Sequence, residues 1–407
     1  IAIVIAPLII LLFAWGFYFK ADATQFNLAS DMLRITFPYL LLISLTALSG
    51  SILNTYDNFI IPAFTPVLLN ISLILSAVFL SKYLSTPIMA LAWGVLIGGT
   101  IQLAFQIPFL RKIKRLPKLQ FGHHKALSIL RKRMLPALFG VSVSQINLLV
   151  DTMIASTLIA GSVSWLYYSD RLLELPLALI GIALATVALA KLSNYHAKKD
   201  TKNFINTIDK ALLYAILLGL PACAGLVLLA EELIITLFQY DAFDALSAKK
   251  TSLSLKAYGS GLMAFIAIKI FAPIFLSRGD TKTPVKAGVV AMVSNIVLNL
   301  ILVRYFDHIG LAAATSISAL VNAAILYFFL IKQSIFKFHT TFYKMLVKVI
   351  FAVTIMSLYI YYFDSSISLY LESSLLERTI LISKTITISI AIYFLTLYAL
   401  GVRFKQL

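Results

Sequence analysis

Charged residues are scarce in this chain of 407 residues. Asp, Glu, Lys and Arg make up 13% of it, against about 25% in soluble globular domains. Apolar residues make up 60%, where soluble domains contain about 45–50%. A soluble protein needs polar atoms over much of its water-facing surface, so this composition excludes an ordinary soluble domain. The mean hydropathy of +0.94 indicates that lipid surrounds most of the chain.

Cysteine and histidine are scarce as well. The single cysteine, Cys223, excludes an internal disulfide framework and a cysteine-rich metal site. The five histidines fall in stretches that we interpret as polar connectors, which argues against a histidine-ligated metal centre in the membrane: His123, His124, His196, His308 and His339. The sequence shows no glycine-rich phosphate loop, no metal-chelating acidic cluster and no Ser–His–Asp set. It favours a transporter over an enzyme, and we expect no organic cofactor.

Long apolar runs are what the chain has in abundance. The first, IAIVIAPLIILLFAWGFYF, has neither a basic leader nor a small-residue cleavage site, so it does not resemble a signal peptide. We expect it to be a complete spanning helix that further sequence precedes. Runs of about 20 apolar residues predict twelve spanning helices and an all-α polytopic membrane protein. They cover approximately 1–19, 33–53, 63–82, 87–110, 135–160, 163–190, 208–230, 254–276, 286–303, 309–331, 345–363 and 379–401.

The basic residues lie mainly on one predicted side of the membrane. The connector 111–134 contains nine Lys and Arg residues and no acid, and further basic residues follow the other even-numbered spans. The opposite connectors hold most of the acids: Asp22, Asp31, Glu231, Glu232, Asp241, Asp244, Asp364, Glu372 and Glu377. Lys and Arg accumulate in cytoplasmic loops, so both chain ends are predicted to be cytoplasmic. The net charge of +17 then reflects contact with anionic lipids and not with nucleic acid.

Two parts of the chain resemble each other. NTYDNFIIPAFTP and SRGDTKTP are short turns, each with one acid (Asp57 or Asp280) and a proline near the start of the next helix. That next helix carries an amide, Asn70 or Asn295. The offset of about 220 residues predicts two homologous bundles, as in transporters whose halves rock about a midplane site. The alternative is that any two hydrophobic helices look alike.

Asp170, Arg171 and Glu174 form the densest group of ionisable residues in a predicted span. An ionisable side chain at the bilayer centre costs at least about 2.5–3.5 kcal/mol. Residues three and four apart share a helix face, so one interpretation is an ion pair near the helix end. The other is that Arg171 faces a wet cavity and binds an anionic head group, because guanidinium matches phosphate in a bidentate fork.

Asp151 lies in an apolar helix with no adjacent base. Such a residue is protonated, paired with a distant helix or bound to a cation. Asn295 and Asn299 are four apart on one face, and Thr315 begins a polar stripe on the next helix. Together these side chains supply the oxygen ligands that a hard cation prefers, although interhelical hydrogen bonding would explain them too. Lys269 is expected to snorkel toward the cytoplasmic end.

Several long strings of the chain are distinctive of a protein family. They include loops and polar helix faces as well as apolar segments. They are TFPYLLLISLTALSGSILNTYDNFIIPAFTPVLLNIS, LPALFGVSVSQINLLVDTMIASTLIAGSVSWLYYSDRLLELPLALIGIAL, LFQYDAFDA and LSRGDTKTPVK. Through them the chain resembles the MurJ/MviN lipid II flippases of the multidrug/oligosaccharidyl-lipid/polysaccharide (MOP) exporter superfamily. The resemblance implies fourteen helices, in two six-helix lobes and a C-terminal pair, of which this chain would begin at the third.

The resemblance also implies a division of the chain. Residues 1–110 would be the remainder of the first lobe, with four helices, and 111–134 a basic cytoplasmic linker. Residues 135–331 would be the second lobe, with six helices. Residues 332–407 would be the C-terminal helix pair, forming a groove for the lipid tail.

The family moves undecaprenyl-pyrophosphate-linked disaccharide-pentapeptide from the cytoplasmic to the periplasmic leaflet by alternating access. The resemblance therefore implies lipid II as the substrate and the bacterial inner membrane as the location. It implies that Arg171, with Glu174 and Asp170 beside it, belongs to a cationic substrate cavity. Other cationic residues of that cavity would lie in the two helices that precede this chain.

A sodium site in some members of the family implies Na⁺ as a coupling ion. Its matching positions here are Asp151, Asn295, Asn299 and Thr315. The family also has an acidic ligand where this chain has Asn299, which weakens the case for tight binding.

Two alternatives within reach of the same fold are a polysaccharide-repeat or multidrug exporter and a cell-wall scaffold that does not transport. A membrane enzyme of the same pathway would need catalytic carboxylates at an interface, and the acids here are too scattered. Anionic lipids and other cell-wall synthesis proteins are the further partners expected.

Overall fold

The computed structural model describes residues 3–19, 24–116, 134, 145–336, 338–363 and 367–403. Within these ranges every regular element is a helix, which confirms the predicted all-α fold class. Contacts between Cα atoms divide the chain into two compact units, Ile1–Pro136 and Ala137–Leu407. The predicted basic linker lies mostly outside the described residues.

Unit 1 contains six α-helices and one short 3₁₀ segment in its described part. They are α1 (Ala6–Phe13), α2 (Gly16–Phe19), α3 (Thr24–Thr36), α4 (Tyr39–Thr55), α5 (Ile60–Val78), the 3₁₀ segment Leu80–Tyr83 and α6 (Met89–Lys112). The prediction of one continuous helix over 1–19 is wrong. The chain leaves the helical region at Ala14, where φ is −147° and ψ is 50°.

Helices α5 and α6 pack closely because small residues line their contact. A Cβ atom on Gly98 would lie 3.2 Å from the Cβ of Ser72. Ser72 donates a hydrogen bond of 2.8 Å to the carbonyl oxygen of Gly94. Small residues allow membrane helices to approach to van der Waals contact, where lipid offers no hydrophobic drive for association.

Unit 2 contains the remaining described helices. They are α7 (145–157), α8 (Ser162–Pro176), α9 (Ala183–Ala197), α10 (Thr201–Leu228), α11 (Ala230–Phe238), α12 (Ala245–Ser260), α13 (Leu262–Ser277), α14 (Lys282–Lys332), α15 (Thr340–Phe363), α16 (Ile367–Glu372) and α17 (Leu375–Ala399). A π-helical segment, Leu177–Ile182, joins α8 to α9. Helix α10 lies at the centre and contacts α9, α11, α12, α13 and α15.

Helix α14 is a hairpin of two arms, and not one rod of 51 residues. Asp307 interrupts it with φ of 49° and ψ of −134°. In a straight helix Asn295 and Thr315 would lie about 30 Å apart at 1.5 Å per residue, yet their side chains are hydrogen-bonded at 3.2 Å. The arms therefore run antiparallel, and we name them α14a (before Asp307) and α14b (after it).

Eight described helices, or nine if the bent pair α12 and α13 is one span, are long and apolar enough to cross a membrane. The sequence predicts twelve spans. The hairpin α14 counts once in the eight but holds two predicted spans. The first predicted span is broken at Ala14, and part of the fifth, 135–144, lies outside the described residues.

The segment 231–253 is not the simple connector that the sequence predicts. It contains most of α11 and the beginning of α12. Asp244 caps α12 by accepting a hydrogen bond of 2.8 Å from the backbone N–H of Ser247, and this bond lowers the pKa of Asp244. Helix α12 begins with the polar stretch ALSAKKTS, so the hydropathy of the sequence does not indicate a helix there. The predicted boundary at residue 254 is therefore wrong.

Candidate functional site

Three helices of unit 2 bring Asp151, Asn295, Asn299 and Thr315 into one hydrogen-bonded group, which we call the Asp151 cluster. The Nδ2 group of Asn299 donates to Asp151 Oδ1 at 2.5 Å and to Asn295 Oδ1 at 3.1 Å. The Nδ2 group of Asn295 donates to Thr315 Oγ1 at 3.2 Å. Both asparagines are fully buried. The four residues singled out in the sequence thus meet inside one unit.

The local sequence explains this assembly. Asn295 and Asn299 are four residues apart, so both point from the same face of α14a. The hairpin then returns the chain so that Thr315 on α14b lies opposite Asn295. Gly310 permits the tight return, because a Cβ atom there would lie 2.5 Å from the carbonyl oxygen of Leu302. Asp151 approaches from α7, the only other helix in the cluster.

The donor set of the Asp151 cluster fits a monovalent hard cation. It offers one carboxylate, two amide groups and one hydroxyl, and such oxygen ligands suit hard cations. The Oδ1 atom of Asn299 is buried and has no hydrogen-bond partner among the described residues. No group of three or more His, Cys, Asp or Glu side chains capable of holding a metal ion occurs in the described part of the chain. A single carboxylate balances one positive charge, so the set does not favour a divalent ion.

The second predicted site lies on α8. Arg171 Nη1 and Glu174 Oε2 form an ion pair of 2.6 Å, with the two side chains 51% and 53% exposed. The guanidinium carbon lies 4.8 Å from the centre of the Tyr167 ring. Asp170 is the neighbouring residue and is partly buried. An exposed pair of this kind contributes only about 0–1 kcal/mol to stability, so the pair does not by itself explain three ionisable residues on this helix.

The predicted groove for a lipid tail involves α15 and α17, which pack against each other. The structure has a cavity of about 430 Å³ between α11 and the start of α17. Leu233 and Leu237 line one wall, and Leu375 and Ile382 line the other. Among the described residues the lining is mainly apolar but includes no residue of α15, so the predicted lipid-tail groove formed by α15 and α17 stays a prediction.

Sequence reasoning missed two buried basic side chains. His308 lies beside the break at Asp307, within the predicted connector, but it is fully buried and its Nε2 lies 3.1 Å from the carbonyl oxygen of Lys250. Arg378 is 8% exposed and donates to backbone carbonyls at the ends of two other helices, α11 and α16. The signal that could have found it is an arginine immediately before the predicted span 379–401.

A family model described as "Lipid II flippase MurJ" matches residues 1–381. The chain belongs to the MurJ lipid II flippase family. This confirms the resemblance drawn from the sequence strings. A probable lipid II flippase MurJ from Vibrio cholerae is 44% identical over 95% of this chain and 74% of its own length. One from Haemophilus influenzae is 41% identical over 99% of this chain and 81% of its own length.

Solved structures agree with this assignment. A lipid II flippase MurJ in an inward closed conformation matches with a TM-score of 0.81 and 30% identity, over 97% of this chain and 78% of that one. An inward-facing multidrug resistance MATE family transporter of the MOP superfamily matches with a TM-score of 0.68, over 82% of this chain and 77% of that one. Its identity of 17% shows a shared fold alone. The chain therefore shares its helical fold with both of these solved structures.

Proposed function

We propose that this protein is a lipid II flippase. It moves the undecaprenyl-pyrophosphate-linked disaccharide-pentapeptide from the cytoplasmic to the periplasmic leaflet by alternating access. The observation that carries the proposal is its membership in the MurJ family, with 44% identity to the Vibrio cholerae relative over 95% of the chain. Its long apolar helices and the buried polar side chains of unit 2 support a transporter.

In this proposal Arg171 binds the pyrophosphate of the substrate. Its guanidinium has five N–H donors, and the ion pair with Glu174 engages Nη1. The half-exposed position leaves the group accessible to a ligand. Tyr167 beneath the guanidinium and Glu174 beside it fix its orientation, while Asp170 adds negative charge that keeps the site from binding anions too tightly for release.

The Asp151 cluster is proposed to hold Na⁺ as the coupling ion, through Asp151, Asn295, Asn299 and Thr315. A bound monovalent cation would neutralise the partly buried Asp151 carboxylate. For this the Asn299 amide turns over, because its Nδ2 group faces Asp151 in the structure and its Oδ1 atom would have to replace it. An ion that binds one conformation more tightly shifts the protein toward that conformation, which gives the site a means of driving transport.

The proposed location is the bacterial inner membrane, with the chain ends on the cytoplasmic side. The basic connectors would then contact the anionic lipids of the inner leaflet. Other cell-wall synthesis proteins stay predicted partners.

Complementation of a flippase-depleted bacterium tests the proposal. The complete gene is supplied in three versions: wild type, Arg171→Ala and Arg171→Lys. Lipid II exposed at the cell surface is measured directly. We expect rescue by wild type, loss with Arg171→Ala at equal membrane levels, and partial activity with Arg171→Lys, since an ammonium lacks the bidentate fork.

Arg34→Ala is the matched control. Arg34 forms an exposed pair with Asp31 at the same spacing of three residues, with an N–O distance of 2.8 Å, so this variant should rescue fully. Failure of wild type to rescue would favour a polysaccharide-repeat or multidrug exporter. Rescue by Arg171→Ala with normal lipid II exposure would contradict the assigned role of the arginine, and rescue without lipid II exposure would favour a scaffold.

A further inference from the structure

A cavity of about 440 Å³ lies inside unit 2 and touches the Asp151 cluster at Thr315. Its polar lining consists of Asn147, Lys269, Thr315, Ser318 and Asn322, among apolar side chains. The turn-side end of the cavity is lined by Pro284, two residues into α14a. The cavity therefore extends between the buried cluster and the end of the unit that carries the turn 278–281.

Helices α7 and α14b each contribute residues to both the Asp151 cluster and the cavity wall. On each helix these residues lie on one face. Asn147 precedes Asp151 by four residues on α7, so the two share a face. On α14b, Thr315, Ser318 and Asn322 follow one another at spacings of three and four. The polar faces of both helices thus point along the same route, and neither has a charged side chain on the stretch that lines it.

Helix α14a supplies the third wall, and it is made of small residues. Pro284, Gly288 and Ala291 line the cavity, and Asn295 of the cluster comes four residues later on the same face. The eleven residue-to-residue steps from Pro284 to Asn295 span about 16 Å at 1.5 Å per step. Small side chains on this stretch leave room for the cavity, which reaches about half the thickness of a hydrocarbon core of about 30 Å.

The lining requires water. The Oδ1 atoms of Asn147 and Asn322 are buried and have no hydrogen-bond partner among the described residues. Lys269 adds the single full charge among the described residues of the lining. Two buried amide oxygens without partners are costly in a dry apolar space, and a cavity of this volume holds several water molecules. Lys269, which the sequence predicts to snorkel, lies at the cavity wall and is exposed.

We propose that this cavity is a water-filled passage through which a monovalent cation reaches or leaves the Asp151 cluster from the cytoplasmic side. The inference rests on the proposed cation site, and it adds the route, the side of access and the residues that form them. The inner end of the passage is the hydrogen bond between Asn295 and Thr315. Thr315 lines the cavity and Asp151 is partly buried behind it, so a small displacement of α14b opens the connection.

Single-cysteine accessibility tests this passage in the complete protein. The native Cys223 is first replaced by Ala, and Ser318→Cys or Asn322→Cys is then introduced. The probe is a membrane-impermeant methanethiosulfonate with a trimethylammonium head, added to inside-out or right-side-out vesicles. The control is Leu326→Cys, which lies one turn nearer the same end of α14b than Asn322 but is only 1% exposed.

We expect both cavity cysteines to react at least tenfold faster than Cys at position 326, and only in inside-out vesicles. Replacing choline with Na⁺ should slow the reaction at position 318, and Asp151→Asn should abolish this sodium effect while leaving the accessibility intact. Two cavity positions keep the test decisive if one variant fails to reach the membrane.

Equal, slow reaction at positions 318, 322 and 326 would overturn the passage and leave the cation site itself standing. Reaction only in right-side-out vesicles would overturn the proposed side of access. Rapid reaction that Na⁺ does not change would overturn both the ion passage and the Asp151 cation site. None of these outcomes depends on lipid II transport, which the complementation experiment tests separately.

Discussion

At the scale of single residues, Arg378 is a buried charge in unit 2 that makes several hydrogen bonds. Its Nε donates to the carbonyl oxygen of Tyr370 at 2.7 Å, and Nη2 donates to that of Leu371 at 3.1 Å. Its Nη1 reaches the carbonyl oxygens of Gln239 and Ile235 at 3.3 and 3.4 Å. These carbonyls belong to the ends of α11 and α16, where a helix has unpaired acceptors and partial negative charge. One guanidinium thus joins the C-terminal ends of two helices to α17.

Replacing Arg378 by Met should lower the free energy of unfolding by about 2–3 kcal/mol, the typical worth of hydrogen bonds made by a charged group. Arg378→Lys should retain part of the stability, because a compact ammonium cannot span all the acceptors that the planar fork reaches. The measurement is the thermal unfolding midpoint of the detergent-solubilised protein. Arg304→Met, at an exposed arginine, is the control. Equal midpoints for the Arg378 and Arg304 variants would mean that the carbonyl contacts contribute nothing to stability.

The two kinds of buried polar residue differ in how far the sequence predicts them. Asp151 and Asn295 are conspicuous because each is a polar residue in a long apolar run, and the family resemblance pairs them. Arg378 is visible as a charge near a span end, but its acceptors are backbone carbonyls of distant segments, which carry no residue signature. His308 is hidden for the same reason, since its partner is the carbonyl oxygen of Lys250.

At the scale of helices, the contact of α5 with α6 depends on the absence of side chains. A Cβ atom on Gly94 would lie 2.9 Å from both Cβ and Oγ of Ser76, a separation that requires one helix to move. By contrast, a Cβ atom on Gly225 of α10 would have no heavy atom within 4 Å. The same substitution therefore has opposite consequences at the two positions.

Gly94→Ala should destabilise the protein by about 1–3 kcal/mol through overpacking. Gly225→Ala should stabilise it by up to about 1 kcal/mol, because alanine has the higher helix propensity. Adding Ser76→Gly to Gly94→Ala should recover part of the loss, since it removes the two atoms that clash. Thermal midpoints of the wild type and these three variants check this. A Gly94→Ala midpoint equal to or above that of Gly225→Ala would show that α5 and α6 do not pack through this contact.

Hydropathy predicts where helices cross a membrane better than it predicts where they break. The runs at 63–82, 87–110 and 345–363 each coincide with one described helix. The bends at Ala14 and Gly261 lie inside apolar runs, where the mean hydropathy does not change. The turn at Asp307 was predicted because charged residues interrupt the run there, although local hydrogen bonding continues across it. Breaks in apolar segments are set by packing against neighbouring helices, which composition does not record.

At the scale of the whole molecule, the distribution of charge over the connectors predicts which side of the membrane each connector faces. No single residue or helix predicts this. Basic connectors and acidic connectors alternate along the chain, and this alternation orients a polytopic protein because cytoplasmic loops are enriched in Lys and Arg. The direction of lipid II transport and the side on which the cavity beside Lys269 opens both depend on that orientation. The measurement needed is therefore the side of the membrane on which two chain positions lie, chosen so that their predicted sides are opposite.

Reporter fusions after Asp241 and after Arg403 test the orientation. Alkaline phosphatase should be active at least tenfold more after Asp241 than after Arg403, because it folds only outside the cytoplasm, and green fluorescent protein should show the reverse ratio. Asp241 lies in the turn between α11 and α12, and Arg403 follows α17, so both fusions leave complete helices before the reporter. The reverse pattern for both reporters would place the basic connectors outside. The cavity beside Lys269 would then open to the periplasm, and Na⁺ would enter the Asp151 cluster through it down its usual gradient instead of leaving to the cytoplasm.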